Sequence, residues 1–221
     1  MSSPANTDLL ALAAETAHDL VDEAALRRIY STGPGPTSLV KVADHVHALY
    51  RPYIEASPFA VLATVGEHGL DTSPRGDAPG FVTVADVKTL LLPDRRGNQR
   101  IDSLRNITRD PHVALLFLIP GHGEALRVNG TARISASPAL CERFVVDGQA
   151  PASVLVIRVA SVFFQCARAI KRSRLWAGAA ERHAAAPLPT PGSILQALGQ
   201  GSIDGASYDA ELPARQARTL Y

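Results

Sequence analysis

The 221-residue chain carries 46% hydrophobic and 19% charged side chains, with a formal net charge of +1. That length suits one domain, or one domain with appended segments, and can bury a core without metal or disulfide staples. The near-neutral balance excludes a protein held mainly by nucleic acid or an anionic membrane, since both demand a basic excess.

In chain order, residues 8–29 are rich in Ala, Leu, Glu and Asp and read as one or two helices, broken by Gly33-Pro-Gly-Pro36. Thr37 or Ser38 can cap a following helix to about Glu55, with Leu39, Val42, Val46, Leu49 and Tyr53 at helical spacing and Pro52 as a kink or early stop. Strand character starts after Pro58. Residues 59–65 are apolar and β-branched, Gly66-Glu-His-Gly69 turns the chain, and 70–73 return. A second hairpin joins 80–85 to 89–93 around Asp86-Val-Lys88. Residues 99–109 read as a helix burying Ile101, Leu104 and Ile107. Residues 113–119 form an apolar strand that Gly121-His-Gly123 turns into 124–135, where Asn129-Gly130 is either a hairpin turn or a bulge. Ser137-Pro138 starts a helix to about Val146, and 153–164 is the last long strand. Residues 167–175 form a basic helix or turn, Pro187-Leu-Pro-Thr-Pro191 breaks the chain, and short helices near 193–199 and 208–220 finish it. Strands joined by turns rather than helical crossovers predict an antiparallel closed or nearly closed barrel with helices outside, hence a mainly β fold with flanking helices of the α+β class.

Chemistry-bearing residues concentrate in three loops. Asp71-Thr-Ser-Pro-Arg-Gly-Asp77, Pro93-Asp-Arg-Arg-Gly-Asn-Gln-Arg100 and Asp102-Ser-Leu-Arg-Asn106 each follow or adjoin a predicted strand and combine arginine with Ser, Asn, Gly or Pro. Arginine forks and free turn amides bind phosphate well, so these loops predict a pocket for a phosphorylated cofactor. Arg95, Arg96, Arg100, Arg105 and Arg109 fall within one window; a solvated basic helix face is the plainer alternative. Glu124 and Arg127 sit three apart on one strand and so face opposite sides. Lys171, Arg172 and Arg174 precede Trp176, either as a solvated basic turn or as cations and an aromatic plane for a flat ligand. The P-loop, the dinucleotide-binding Gly-x-Gly-x-x-Gly and the Gly-x-Ser-x-Gly nucleophile turn are all missing from the sequence. No His-x-x-x-His occurs, His68 and His122 read as turn histidines, and no metal site is expected. Cys141 and Cys166 lack Cys-x-x-Cys spacing and lie among apolar residues, so both are expected as buried free thiols. No apolar run reaches the length of a membrane span, and residues 1–8 lack the pattern of a secretory signal, so a reducing cytoplasm is expected.

These motifs together resemble the FMN-binding split-barrel proteins related to pyridoxamine 5'-phosphate oxidase, and within them a bacterial subgroup of FMN-dependent type. The likeness rests on Ser73-Pro-Arg-Gly-Asp77, Pro79-Gly-Phe81, Leu92-Pro-Asp-Arg95, Gly97-Asn98, Arg100-Ile-Asp-Ser-Leu-Arg-Asn106, Leu116-Phe-Leu-Ile-Pro-Gly121, Glu124-Ala-Leu-Arg-Val-Asn-Gly130, Phe164-Gln-Cys-Ala167 and Lys171-Arg-Ser-Arg-Leu-Trp176. It extends to the lead-in from Leu26 to Tyr53 and to Thr219-Leu-Tyr221. The resemblance implies a six-stranded antiparallel split β-barrel over 57–176, an N-terminal helical segment over 1–56, and an extension over 177–221 that packs on the barrel or on a partner subunit. It also implies a homodimer with FMN at the interface. Arg95, Asn98, Arg100 and Ser103 would hold the phosphate side, Ser73, Pro74 and Arg75 would line the flavin, and Glu124 or Arg127 would lie near its rings. Lys171, Arg172, Ser173 and Trp176 would reach in, with either subunit as their source. Arg75 and Lys171 are the expected catalytic pair, polarising flavin or substrate.

The implied activity is FMN-dependent oxidoreduction: hydride passes from a small organic substrate to flavin N5, and oxygen or another acceptor reoxidises the flavin. The chain departs from pyridoxamine phosphate oxidases in lacking their substrate-binding Arg-x-His near the C-terminus, and Gln99 stands where relatives often place a basic residue. The alternatives are a barrel that stores or senses flavin without turnover, and one that uses haem or deazaflavin; haem would need an axial ligand, for which His183 is the candidate.

Overall fold

The computed structural model describes residues 4–178 and 188–221. The chain divides into two compact units, Met1–Val40 and Lys41–Tyr221. The first holds α1 (Pro4–Ala13), α2 (Glu23–Ile29) and α3 (Pro36–Val40). Asp22 caps α2 by accepting a hydrogen bond from the Ala25 amide, and Arg27 pairs with Glu23 one turn earlier.

The second unit opens with α4 (Arg51–Ala56) and continues through β1 (Phe59–Gly66), β2 (Gly69–Gly76), β3 (Thr83–Asp86) and β4 (Thr89–Asp94). Then come α5 (Asp102–Arg109), β5 (His112–Leu118), β6 (Ala125–Ser135), α6 (Pro138–Glu142) and β7 (Ser153–Gln165). The remaining elements are α7 (Arg168–Ser173), α8 (Pro191–Leu198) and α9 (Gly205–Arg218). The continuous helix expected to Glu55 does not form. Ala43 instead forms a bridge with Val162, and the Val46 amide donates to Val87 in the β3–β4 turn, so long-range backbone bonds take the amides a helix would have used.

The strands form one sheet of seven, in the order β2-β1-β5-β6-β7-β4-β3, every pair antiparallel. The expected count of six is one short, because the four-residue β3 pairs with β4 and extends that edge. No ladder joins the two end strands among the described residues, so the ring is not closed by backbone pairing.

The sheet nevertheless wraps a single core. Inward positions alternate along each strand: Ala60 and Leu62 on β1, Leu115 and Phe117 on β5, Leu126 and Val128 on β6, Leu90 and Leu92 on β4. On β7 the phase changes, from Leu155, Ile157 and Val159 to Val162. The cause is a bulge: Asn129 pairs with Ser161 but Gly130 pairs with Val159, leaving one extra residue on β7. A side chain at Gly130 would meet the Arg158 carbonyl oxygen at 2.1 Å, so the two backbones approach as only glycine permits. The pair Asn129-Gly130 is therefore a bulge within one long strand. Bulges increase local twist and bend, which helps such a sheet to curl.

Cys141 is a buried free thiol, as expected, whereas Cys166 is exposed. It follows the end of β7, where the strand has already left the core. No helix among the described residues is long and apolar enough to cross a membrane.

Candidate functional site

The two ends of the sheet meet at one cleft. In the sheet order four strands separate β2 from β4. Yet Arg75 on β2 donates through Nη1 to Asp94 Oδ1 on β4 at 2.8 Å, and Arg95 Nε donates to Asp77 Oδ2 at 2.7 Å. Two crossed ion pairs thus span the gap that the ladder leaves open. Both are well shielded: Arg75 and Asp94 side chains are each 18% exposed, Arg95 16% and Asp77 3%.

Beside these pairs lies a cavity of about 960 Å³, walled by β2, the end of β4, the 95–101 loop, the start of α5, the 149–153 segment and Tyr221. Ligand clefts are commonly of this size. A smaller hollow of about 380 Å³ at the β1–β2 turn involves Gly66, Glu67 and Arg109, but there Arg109 is already paired with Glu67 at 2.8 Å.

The local sequence explains the cleft's donors. On β2, Asp71, Ser73 and Arg75 alternate with more exposed neighbours, so one face of an edge strand turns to the cavity. Pro74 is tolerated because β2 is an edge strand. After β4 the loop makes two left-handed residues, Gln99 (φ 63°) and Ile101 (φ 52°). Such a conformation is strained for a β-branched side chain, and strain of this kind gathers at ligand-binding turns. Asn98 Oδ1 stabilises the turn by accepting from the Arg100 amide at 3.1 Å. Ile101 precedes α5 without a side-chain cap, leaving amides of its first turn uncapped. Arg100 pairs with Asp102 at 2.7 Å, while Arg96 has no partner among the described residues.

Two buried polar atoms in the cleft wall have no hydrogen-bond partner: Arg75 Nε and Ser153 Oγ. Leaving a buried polar group unpaired costs about 1–3 kcal/mol, more for a charged one. Asp77, by contrast, is fully served: the Arg95 guanidinium, the Tyr221 hydroxyl at 2.8 Å and the Ala78 amide at 2.7 Å all donate to it. Burial pushes the Asp77 carboxyl up, but the hydrogen bonds from Tyr221, Ala78 and Arg95 outweigh it and hold the group below its ordinary value.

Of the residues expected from sequence, the structure gathers Ser73, Pro74, Arg75, Arg95, Asn98, Arg100 and Ser103 around this cleft. Glu124, Arg127, Lys171, Arg172, Ser173 and Trp176 are not in its wall. Glu124 lies 3.3 Å from His122 Nε2, and Trp176 Nε1 donates to the His122 carbonyl at 2.6 Å. Arg127 stacks its guanidinium on Phe163, 5.1 Å from the ring centre. Lys171, Arg172 and Ser173 sit on the short α7, where Ser173 Oγ donates to the Ile170 carbonyl. His183 lies outside the described residues. Sequence reasoning missed Asp94, Ser153 and Tyr221 as wall residues and Asp77 as the anchor of Arg95 and Tyr221. Asp77 and Asp94 had a signal, being acids beside arginines in paired loops; Tyr221 had only the family likeness of Thr219-Leu-Tyr221, and Ser153 had none.

The family model described as pyridoxamine 5'-phosphate oxidase matches residues 46–166, from before β1 through β7 and thus over the cleft's arginine loops. The chain belongs to the pyridoxamine 5'-phosphate oxidase family. Solved structures similar to this family member include HupZ from Group A Streptococcus, at 21% identity over 52% of this chain and 90% of that one, with a TM-score of 0.43. Another is a putative pyridoxamine 5'-phosphate oxidase from Lactobacillus delbrueckii, at 22% identity over 55% and 95% of the two chains, with a TM-score of 0.44. A third is a protein related to general stress protein 26, of the pyridoxinephosphate oxidase family, from Clostridium acetobutylicum; it shares 17% identity over 52% and 83%, with a TM-score of 0.41. The comparison with curated proteins returns no match.

Proposed function

We propose that this chain binds FMN in the cleft between β2 and β4 and acts as an FMN-dependent oxidoreductase. The observation that carries the reading is the pair of unpartnered buried donors, Arg75 Nε and Ser153 Oγ, in an arginine-lined cavity. A ligand rich in acceptors suits a wall with such spare donor capacity. The residues fit the cofactor's two chemistries. Arg96, Arg100, Ser103 and the uncapped start of α5 offer donors to a phosphate dianion. Ser73, Pro74 and Arg75 offer a strand edge with one cation to a flat polar ring system.

Bound flavin would supply the two-electron redox chemistry, with hydride exchange at its N5. The chain's own part is binding and electrostatics. Asp94 fixes one end of the Arg75 guanidinium and so holds that cation beside the cavity. Among the described residues no histidine, lysine or cysteine lines the cavity; Asp94 and Asp102 are held by arginines, and the remaining lining carboxylate, Asp71, accepts from Asn106 Nδ2 at 3.3 Å. Proton transfer from substrate would then fall to Asp71, to solvent or to groups of a second copy. On this reading the protein is a homodimer, and Glu124, Arg127, Lys171, Arg172, Ser173 and Trp176 serve the flavin of the other subunit.

Titration of flavin fluorescence tests binding: quenching to one FMN per chain is expected, and unchanged emission removes the reading. Anaerobic treatment of the FMN complex with NADPH and with a panel of small organic donors tests turnover. Bleaching of the flavin band that recovers in air supports an oxidoreductase; a band that no donor bleaches leaves a flavin-storing protein.

A further inference from the structure

Tyr221 belongs to the cleft, although the likeness of Thr219-Leu-Tyr221 to the family gave it no role. The helical pair α8 and α9 brings it there. Thr190 caps α8 by accepting from the Ser193 amide, and Asp204 caps α9 by accepting from the Ala206 and Ser207 amides. The helices cross at two glycines: a side chain on Gly192 would meet the Gly205 carbonyl oxygen at 2.1 Å. The Gly192 amide donates to Asp209 Oδ1 at 2.7 Å, fixing α9 against α8. Beyond α9, the Tyr221 hydroxyl donates to Asp77 Oδ1, 144 positions earlier in sequence, and its ring centre lies 5.5 Å from the Arg95 guanidinium carbon.

We propose that Tyr221 is a positioning residue for Arg95, aligning that guanidinium with the anionic end of the ligand. The inference rests on the FMN reading for the ligand's identity, but not for the contact itself. Arg95 is held at two nitrogens: Nε donates to Asp77, and Nη1 donates to the Phe144 carbonyl at 2.6 Å. Its Nη2 has no partner among the described residues, so both Nη2 N–H donors, with the second one on Nη1, remain unused. The direction of those donors depends on Asp77. That carboxylate is itself fixed from the other side by the Tyr221 hydroxyl. The stacked ring removes further freedom from the arginine. An arginine ordered before binding loses less entropy when it grips an anion. The Tyr221 phenol is pushed above its ordinary value, first by donating to Asp77 and then by burial, so it stays a donor at neutral pH.

A plain cleft wall would act on any flavin, whereas a positioning residue for Arg95 acts on the phosphate. FMN and riboflavin, which lacks the phosphate, therefore separate the two roles. In Tyr221→Phe, FMN dissociation constants should rise about tenfold, the effect of one lost charge-assisted hydrogen bond. Riboflavin affinity should change less than about twofold by the same rule. Asp77→Asn should give the same phosphate-selective loss, and the double variant should be no worse than the single ones. In ligand-free protein, the Arg95 Nε–H resonance should be protected from solvent exchange and lose that protection in Tyr221→Phe. Equal weakening of both flavins, no weakening of either, or unchanged Nε–H protection overturns the proposal. If the wild-type protein binds neither flavin, the FMN reading falls alone, because the exchange measurement still decides whether Tyr221 orders Arg95.

Discussion

The cleft and the patch around His122 were both expected to hold one cofactor, and within a single chain only the first is assembled. The cleft residues come from opposite ends of the sheet, yet curling brings Arg75 within 2.8 Å of Asp94. The patch residues spend their polar groups on one another: Trp176 on the His122 carbonyl, Glu124 near the His122 ring, Arg127 on Phe163. Closeness in sequence did not predict which group would converge. What separates the regions is shielded bonding capacity, since the cleft retains buried donors without partners whereas Lys171 and Arg172 of the patch are exposed.

The largest expected effect breaks the cleft while sparing the patch. Arg75→Ala strands Asp94, and leaving a shielded charge unpaired should cost about 3 kcal/mol by urea unfolding. FMN affinity should fall about a hundredfold in the same variant; unchanged affinity would remove Arg75 from the site. Next, Gly130→Ala attacks the curl itself. Its new methyl would collide with the Arg158 carbonyl, costing about 2 kcal/mol. Titration of that variant should show weaker FMN binding although residue 130 is not in the cleft wall; normal affinity would separate the bulge from the cleft's shape.

A third pair sharpens the contrast between the regions. Arg96→Ala should weaken FMN about tenfold at every protein concentration. Lys171→Ala should do so only where sedimentation shows dimers, because α7 does not line the cleft of its own chain. Equal effects at all concentrations would defeat the partner assignment.

The smallest effect is the acid limb of stability. Asp77 is held below its ordinary value of 3.8, so the folded state binds its proton more weakly than the unfolded chain does. Its contribution is therefore full at neutral pH and is lost as pH falls through the lowered folded-state value. Urea midpoints of wild type and Asp77→Asn should converge as pH drops from about 5 to about 2; a constant gap would remove Asp77 as the source.

Much of the fold was legible. The hairpin turns at 66–69 and 86–88, the strand periods and the Ser137-Pro138 helix start all reflect local chemistry, and the structure follows them. The helix expected through 37–55 failed because Ala43 and Val46 found backbone partners far away in sequence, one in a strand and one in a turn. The stripe from Leu39 to Tyr53 fits a helix equally well, so periodicity had no means of excluding it. Within the site, arginine-rich turns announced themselves by composition. Ser153 did not, because a serine opening a strand is ordinary in isolation, and the family likeness at Thr219-Leu-Tyr221 named no role for the tyrosine.

The sequence by itself determined the strands, their turns and the phosphate-suited loops, since backbone preferences and alternation act over a few residues. The tertiary structure decided that β2 and β4 face each other, that Arg95 and Tyr221 share Asp77, and that the α7 cations stay outside the cleft. Those outcomes depend on how far the sheet curls, a sum of twists and one bulge over many long-range pairings that no local segment encodes.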